Sequence, residues 1–403
     1  MALLMEAAYE SLADLRERAK AEVAKVVLGQ DRAVELMLVA ALARGHILLE
    51  GPPGSAKTLL GRAVAHMLGA SFKRIQFTPD TTPQELTGQT VIKGGEPTFY
   101  PGAVFANVLL ADEINRTPPR SQAALLEAMQ ERQVTVDGRA HRLPDPFLVI
   151  ATQNPFEHEG VFVLPEAQLD RFLFKLELHY PDAEFELGML NLPHNGIAPD
   201  MLGEVKPLLG VVGLDRARDE LNTTTVSEAV GRYVVTLARR TREIPGVELG
   251  VSSRGIMHLM SAAKANARLC GRDHVTVTDV RDMAPYVLRH RLIITDPSVS
   301  PDGALQQALD SIPAPVPTAV PSAEPTAATT LAPPSTSSPC SCRTHPRSRT
   351  QIPSIDVSDT GNGVRHRTFA PRSQQDLHRE GRLRVSPLAG RPRPIRGKGS
   401  GGV

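Results

Sequence analysis

Between residues 9 and 27, Ala, Leu and Val recur at helical spacing among charged residues, which predicts an amphipathic helix closed by Gly29. Residues 31–44 predict a second helix, with Asp31 suited to its positive first turn. The pattern then changes period. Short apolar runs at residues 47–49, 108–111, 147–151 and 174–178 read as buried strands, and residues 72–77 alternate as a strand does. Amphipathic stretches after Lys57 and over residues 120–132 fall between these runs as helices. Strands alternating with helices predict an α/β fold: a mostly parallel sheet covered by helices on both faces. Residues 78–106 are rich in Pro, Gly and Thr and hold two strand-like pieces around Gly94-Gly95, while residues 133–143 alternate on both sides of Asp137-Gly138. Both patterns predict hairpins.

Beyond residue 181 the periodicity weakens, and residues 183–225 read as a linker after a first domain of residues 1–182. Helical spacing returns at 225–243, 252–270 and 277–289, which predicts a small all-helical domain over residues 226–311. Residues 312–403 are first Pro/Ala/Ser/Thr-rich and then Arg/Gly/Ser-rich, too poor in apolar surface to fold, and are expected to be a disordered tail.

The chemistry gathers after the strand at 47–49, in Gly51-Pro52-Pro53-Gly54-Ser55-Ala56-Lys57-Thr58 followed by Leu59 and Leu60. Strand, Gly/Pro-rich turn, Lys-Thr and helix make a phosphate cradle. Backbone N–H groups and the helix N-terminus surround phosphates, the lysine reaches the outer ones, and the threonine hydroxyl ligates Mg²⁺. Ala56 stands where such loops carry a second glycine, which is tolerated if Ala56 keeps a right-handed helical conformation. Val26 and Val27, just upstream, either wall a base or belong to the core.

The run at 108–111 ends in Asp112-Glu113. Two carboxylates at the tip of a buried strand are costly unless used. Beside a phosphate loop, Asp112 suits the water shell of Mg²⁺, and Glu113 suits a general base for an attacking water. They are otherwise capping acids before the helix that starts at Pro118-Pro119. Asn154, after the run at 147–151, is either an orienting group for that water or a turn residue before Pro155.

Composition narrows the class. The chain has 403 residues and a formal charge of +1, but 13 Lys and Arg against 4 Asp and Glu lie from Cys340 onward. The rest is therefore net acidic, which with 4% aromatic residues argues against a nucleic-acid-binding surface. Three cysteines offer no disulfide framework or zinc site, so a reducing, cytoplasmic setting is expected. The N-terminus lacks a basic region followed by a long apolar core, and no apolar window is long enough for a membrane span.

Together the loop at 51–58, Ala111-Asp112-Glu113-Ile114-Asn115-Arg116, Ala151-Thr152-Gln153-Asn154-Pro155 and Leu164-Pro165-Glu166-Ala167-Gln168-Leu169-Asp170-Arg171-Phe172 resemble the MoxR family of AAA+ ATPases over residues 10 to 310. The resemblance implies an AAA+ αβα core with a helical lid, assembled as a homo-hexameric ring with ATP and Mg²⁺ between subunits. It carries Lys57 and Thr58 onto phosphate and metal, Asp112 and Glu113 onto the Walker B pair, and Asn154 onto sensor 1. Arg171 resembles the finger given to a neighbour's nucleotide, and Arg254 resembles sensor 2, although Ser253 replaces the usual proline before it. The implied activity is ATP-driven remodelling, maturation or activation of protein clients, often ones with von Willebrand A domains. A magnesium-chelatase-like motor, a nucleic-acid motor and a nucleotide-gated scaffold are the alternatives.

Overall fold

A computed structural model describes residues 11–155, 161–191 and 199–313. The expected tail begins at a residue that is not tail-like, since Ile312 is buried in the core cluster; from residue 314 on, with Cys340 and Cys342, it lies outside the described residues. Two helices lead in, α1 (Leu12–Ala24), capped by the Ser11 hydroxyl on the Asp14 N–H, and α2 (Asp31–Leu42). The central sheet follows, built of β1 (Ile47–Glu50), β2 (Phe72–Gln76), β5 (Val108–Asp112), β8 (Leu148–Gln153) and β9 (Phe174–Glu177). Its order is β2-β5-β8-β1-β9 and every pairing is parallel. Helix α3 (Lys57–Leu68) follows β1, and α5 (Pro119–Glu131) follows β5. Between them lie α4 (Pro83–Thr87) and the expected first hairpin, β3 (Gln89–Lys93) with β4 (Glu96–Tyr100). The second hairpin, β6 (Gln133–Val136) with β7 (Arg139–Arg142), precedes β8, and the short α6 (Glu166–Leu169) precedes β9.

Strand side chains alternate between faces, and the sheet sorts its apolar residues accordingly. Leu48, Leu109, Ala111, Val149 and Ala151 pack with Leu125, Leu126 and Met129 of α5. Ile47, Leu49, Leu110 and Ile150 pack on the other face with α1, α2 and α3. Gly61 lets α3 lie close there, since a Cβ would come within 3.1 Å of Leu110 Cδ1. That seat fixes where the first turn of α3 meets the sheet edge.

The residues expected as a linker contain α7 (Ala183–Met189) and α8 (Gly210–Asn222). Helix α8 buries Leu214, Ala217 and Leu221 in the same core and sends buried Arg218 to the Ala41 carbonyl, at 2.8 and 3.1 Å. It is a structural element and not a spacer. The C-terminal region adds α9 (Glu228–Thr241), α10 (Ser253–Leu269), α11 (Val277–Leu288) and α12 (Pro301–Asp310). It is not all-helical, because β10 (Val247–Leu249) pairs antiparallel with β11 (Ile293–Ile294). Its buried residues, among them Leu259, Ala263, Val280 and Met283, continue the cluster that holds α1–α3. Among the described residues no helix is long and apolar enough to cross a membrane.

Candidate functional site

The parallel sheet brings the C-terminal ends of β1, β5 and β8 to one edge, where a cleft of about 590 Å³ opens. Its walls include Pro53, Gly54, Ala56, Lys57, Thr58 and Leu59 from the loop and α3, and Asp112, Glu113 and Asn154 from the strand ends. Gly51, Pro52 and Ser55 form the base of the loop: Lys57 Nζ donates to the Gly51 and Pro52 carbonyls at 2.8 and 2.7 Å, and Ser55 Oγ donates to Pro52 at 2.8 Å. Ala56 departs from expectation. Its backbone is left-handed, φ 60° and ψ 19°, because the chain must reverse just before the helix begins. A side chain there costs about 1–2 kcal/mol relative to glycine.

The acids take distinct environments. Asp112 is buried and accepts from Thr58 Oγ1 at 3.0 Å and Thr152 Oγ1 at 2.5 Å. It also accepts from Arg74 Nε and Nη2 at 3.1 and 2.8 Å. Glu113 is left-handed, φ 57°, with its N–H on Thr152 Oγ1, and its carboxylate lies 3.2 Å from Arg116 Nη1. Arg74 and Thr152 were not among the residues expected from sequence. The pairing of β2 with β5 sets Gln76 beside Asp112, which leaves Arg74, two residues back on the same face, within reach of that carboxylate. Nothing in the local pattern of β2 signals this.

Val26 and Met189 also line the cleft. Val27, expected as a wall, is not among the residues that line the cleft and packs in the core, where Val26 is equally buried. The turn after α1 brings the neighbouring Val26 to the cleft instead.

Arg171 and Arg254 do not reach this cleft. They meet in a second cavity of about 200 Å³ with Arg44, His46, Arg132 and His258, which shares no residue with the first. This cavity is rich in positive charge, and the shifts around it follow. Burial, with Arg44 nearby, lowers Arg132, and burial together with Arg291 and Arg254 pushes His258 down to about 3. Burial drives His46 to about 3 as well. Its Nδ1 accepts the Val149 N–H at 3.0 Å and its Nε2 faces the Met129 carbonyl at 3.2 Å, which suits the neutral ring with the proton on Nε2.

Comparison with known proteins places the fold. Residues 46–174 match the model of the ATPase family associated with various cellular activities (AAA), and residues 239–312 match the AAA lid domain. Chaperone MoxR1 of Mycobacterium tuberculosis is 42% identical over 314 residues, covering 74% of this chain and 82% of that protein. The chain belongs to the MoxR family of AAA+ ATPases. Another relative, the uncharacterized protein YeaC of Bacillus subtilis, is 45% identical over 71% of this chain and 89% of its own length. A crystal structure from Cytophaga hutchinsonii, provisionally described as an ATPase, superposes with a TM-score of 0.69 at 36% identity, covering 76% of this chain and 98% of that one. A magnesium-chelatase 38 kDa subunit of Acidiphilium rubrum is more distant, 29% identical over 53% of this chain and 62% of its own. Within the family fold, the AAA match begins at His46 and ends at Phe174, so it spans both the loop strand and Arg171.

Proposed function

We propose that this MoxR-family chain hydrolyses ATP as one subunit of a homo-oligomeric ring, a hexamer by family resemblance, and uses the cycle to remodel or activate protein clients. The observation that carries this reading is a separation. Lys57, Thr58, Asp112, Glu113 and Asn154 converge on one cleft, while Arg171 and Arg254 stand together at another. A site whose arginines lie elsewhere on the chain is completed by a second copy.

The donor set suits the metal: a threonine hydroxyl and a carboxylate 3.0 Å apart are hard oxygen ligands of the kind Mg²⁺ prefers. Bound there with ATP, the ion neutralises charge on the phosphate oxygens. The loop N–H groups between Pro53 and Thr58 and the start of α3 cradle the phosphates, and Lys57 exchanges its carbonyl partners for them. Glu113, drawn off Arg116, takes the proton of the attacking water, and the Asn154 amide orients that water. Arg171 and Arg254 stabilise charge on the nucleotide of the adjacent subunit, and Val26 with Met189 packs the base. Clients with a von Willebrand A domain are proposed from the family resemblance. A chelatase-type motor is the second reading, supported only by the more distant relative. The net acidic charge before residue 340 disfavours a nucleic-acid motor.

The test is steady-state ATPase activity against protein concentration for the wild type, Glu113→Gln and Arg171→Ala. The specific rate is expected to rise with concentration, and each variant to lose on the order of a thousandfold. Wild-type protein that binds ATP but turns none over at any concentration would overturn the reading in favour of a nucleotide-gated scaffold.

A further inference from the structure

Arg291 sits in the turn after α11, in the lid region, with its side chain 1% exposed. A buried guanidinium is costly unless its donors are all placed, and most of this one's go to one segment, residues 170–173. Nε donates to Asp170 Oδ1 at 2.8 Å, and Nη2 donates to the backbone carbonyls of Asp170 at 3.1 Å and Phe172 at 2.6 Å. Nη1 adds the Leu173 carbonyl at 3.4 Å and the carbonyl of Val287 at the end of its own helix. His258 Nδ1 lies 2.6 Å from Nη2. The residue between Asp170 and Phe172 is Arg171. The Asp170 carboxylate is meanwhile held by Ser252 Oγ at 3.2 and 3.3 Å, the hydroxyl that caps α10, and lies 3.5 Å from Arg254 Nη1.

We infer that Arg291 is the positioning residue for Arg171: from the lid it grips the peptide on both sides of the finger, so the finger is presented only when the lid is seated. The inference rests on the reading of Arg171 as a group given to the neighbouring subunit. Its geometry requires a planar fork. A lysine keeps the charge but cannot span a carboxylate and two carbonyls at once.

The experiment uses full-length Arg291→Lys, with Asp170→Asn as a second route to the same break and Arg171→Ala as reference. Each is assayed alone and mixed with Glu113→Gln, whose own cleft is inactive but whose finger is intact. Alone, Arg291→Lys and Asp170→Asn are expected to lose on the order of a hundredfold in turnover, as a misplaced group does. Binding of a fluorescent ATP analogue and assembly size are expected to stay within about twofold, since neither residue touches the subunit's own cleft. Mixed with Glu113→Gln, both are expected to regain activity as Arg171→Ala does, because their clefts then meet an intact finger. Lasting inactivity of the Arg291→Lys and Asp170→Asn mixtures beside a rescued Arg171→Ala mixture overturns the positioning role, as does full turnover of both variants alone. Failure of the Arg171→Ala mixture overturns instead the trans reading beneath it.

Discussion

Arg74→Ala tests how the cleft balances its buried acid. Asp112 has a side chain 7% exposed, and its only cationic partner within 4 Å among the described residues is Arg74, itself 46% exposed, at 2.8 Å. Breaking a fully buried pair costs about 3–5 kcal/mol, and an exposed pair contributes about 0.2–1 kcal/mol. With one partner buried and the other half in solvent, about 1.5 kcal/mol is the working figure, kept low by the hydroxyls of Thr58 and Thr152 that stay on the carboxylate. Over the roughly 300 residues of this unit, at about 2.1 cal/mol/K each, that is a fall of about 2–3 °C in the melting temperature of the nucleotide-free protein. The variant should respond more strongly to Mg²⁺. Arg74 occupies the same carboxylate oxygen as Thr58, so without it Mg²⁺ meets no competing cation, and the concentration for half-maximal thermal stabilisation with ATP should fall about tenfold. The assay is a thermal melt across a Mg²⁺ titration at fixed ATP. A half-point that rises would refute the reasoning, because it would mean that Arg74 holds the loaded nucleotide instead of standing in for the metal.

Two further predictions concern the loop and its strand. Ala56→Gly should raise the urea midpoint by an amount worth below about 1 kcal/mol, the relief of a left-handed alanine less the added freedom of the unfolded chain; a lower midpoint would contradict the strained geometry. His46, held near 3 by burial against about 6.5 when unfolded, makes the unfolded chain bind more protons between those values, so stability is full above about pH 6.5 and falls on acidification. By pH 5 the loss from this residue should be about 2 kcal/mol, with His258 acting in the same direction, and a urea midpoint that did not fall between pH 7 and 5 would show the ring to be protonated in the fold.

Much of the core was legible because burial on both faces writes a strand as an uninterrupted apolar run, as in Ile47–Glu50 and Leu148–Gln153. That the loop and the acid pair meet at one cleft was legible because both directly follow buried strands, whose ends a parallel sheet brings to one edge. What escaped was anything decided by tertiary contact. Helix α8 carries buried Leu214, Ala217 and Leu221 between exposed charges and after a run of Gly and Pro, so it looked like a linker until α2 and α3 covered it. Val26 and Val27 have the same chemistry, and only the turn of the backbone decides which one meets the cleft. Arg74 and Arg291 carry no mark of their partners, since nothing in one dimension shows a carboxylate arriving from another strand or from 121 residues away. Ala56 illustrates the converse: a residue chosen against its own preferred conformation because the reversal before α3 demands it.

The apolar cluster that runs without a break from the sheet through α1 and α2 into α10 and α11 has a consequence for exchange between relatives. A crossover placed between the sheet region and the lid would split one core between two parents, joining side chains that never adapted to each other's volumes. The sheet, the helices on this face and the lid should therefore be exchanged together, and chimeras that divide this core should melt at a lower temperature than either parent.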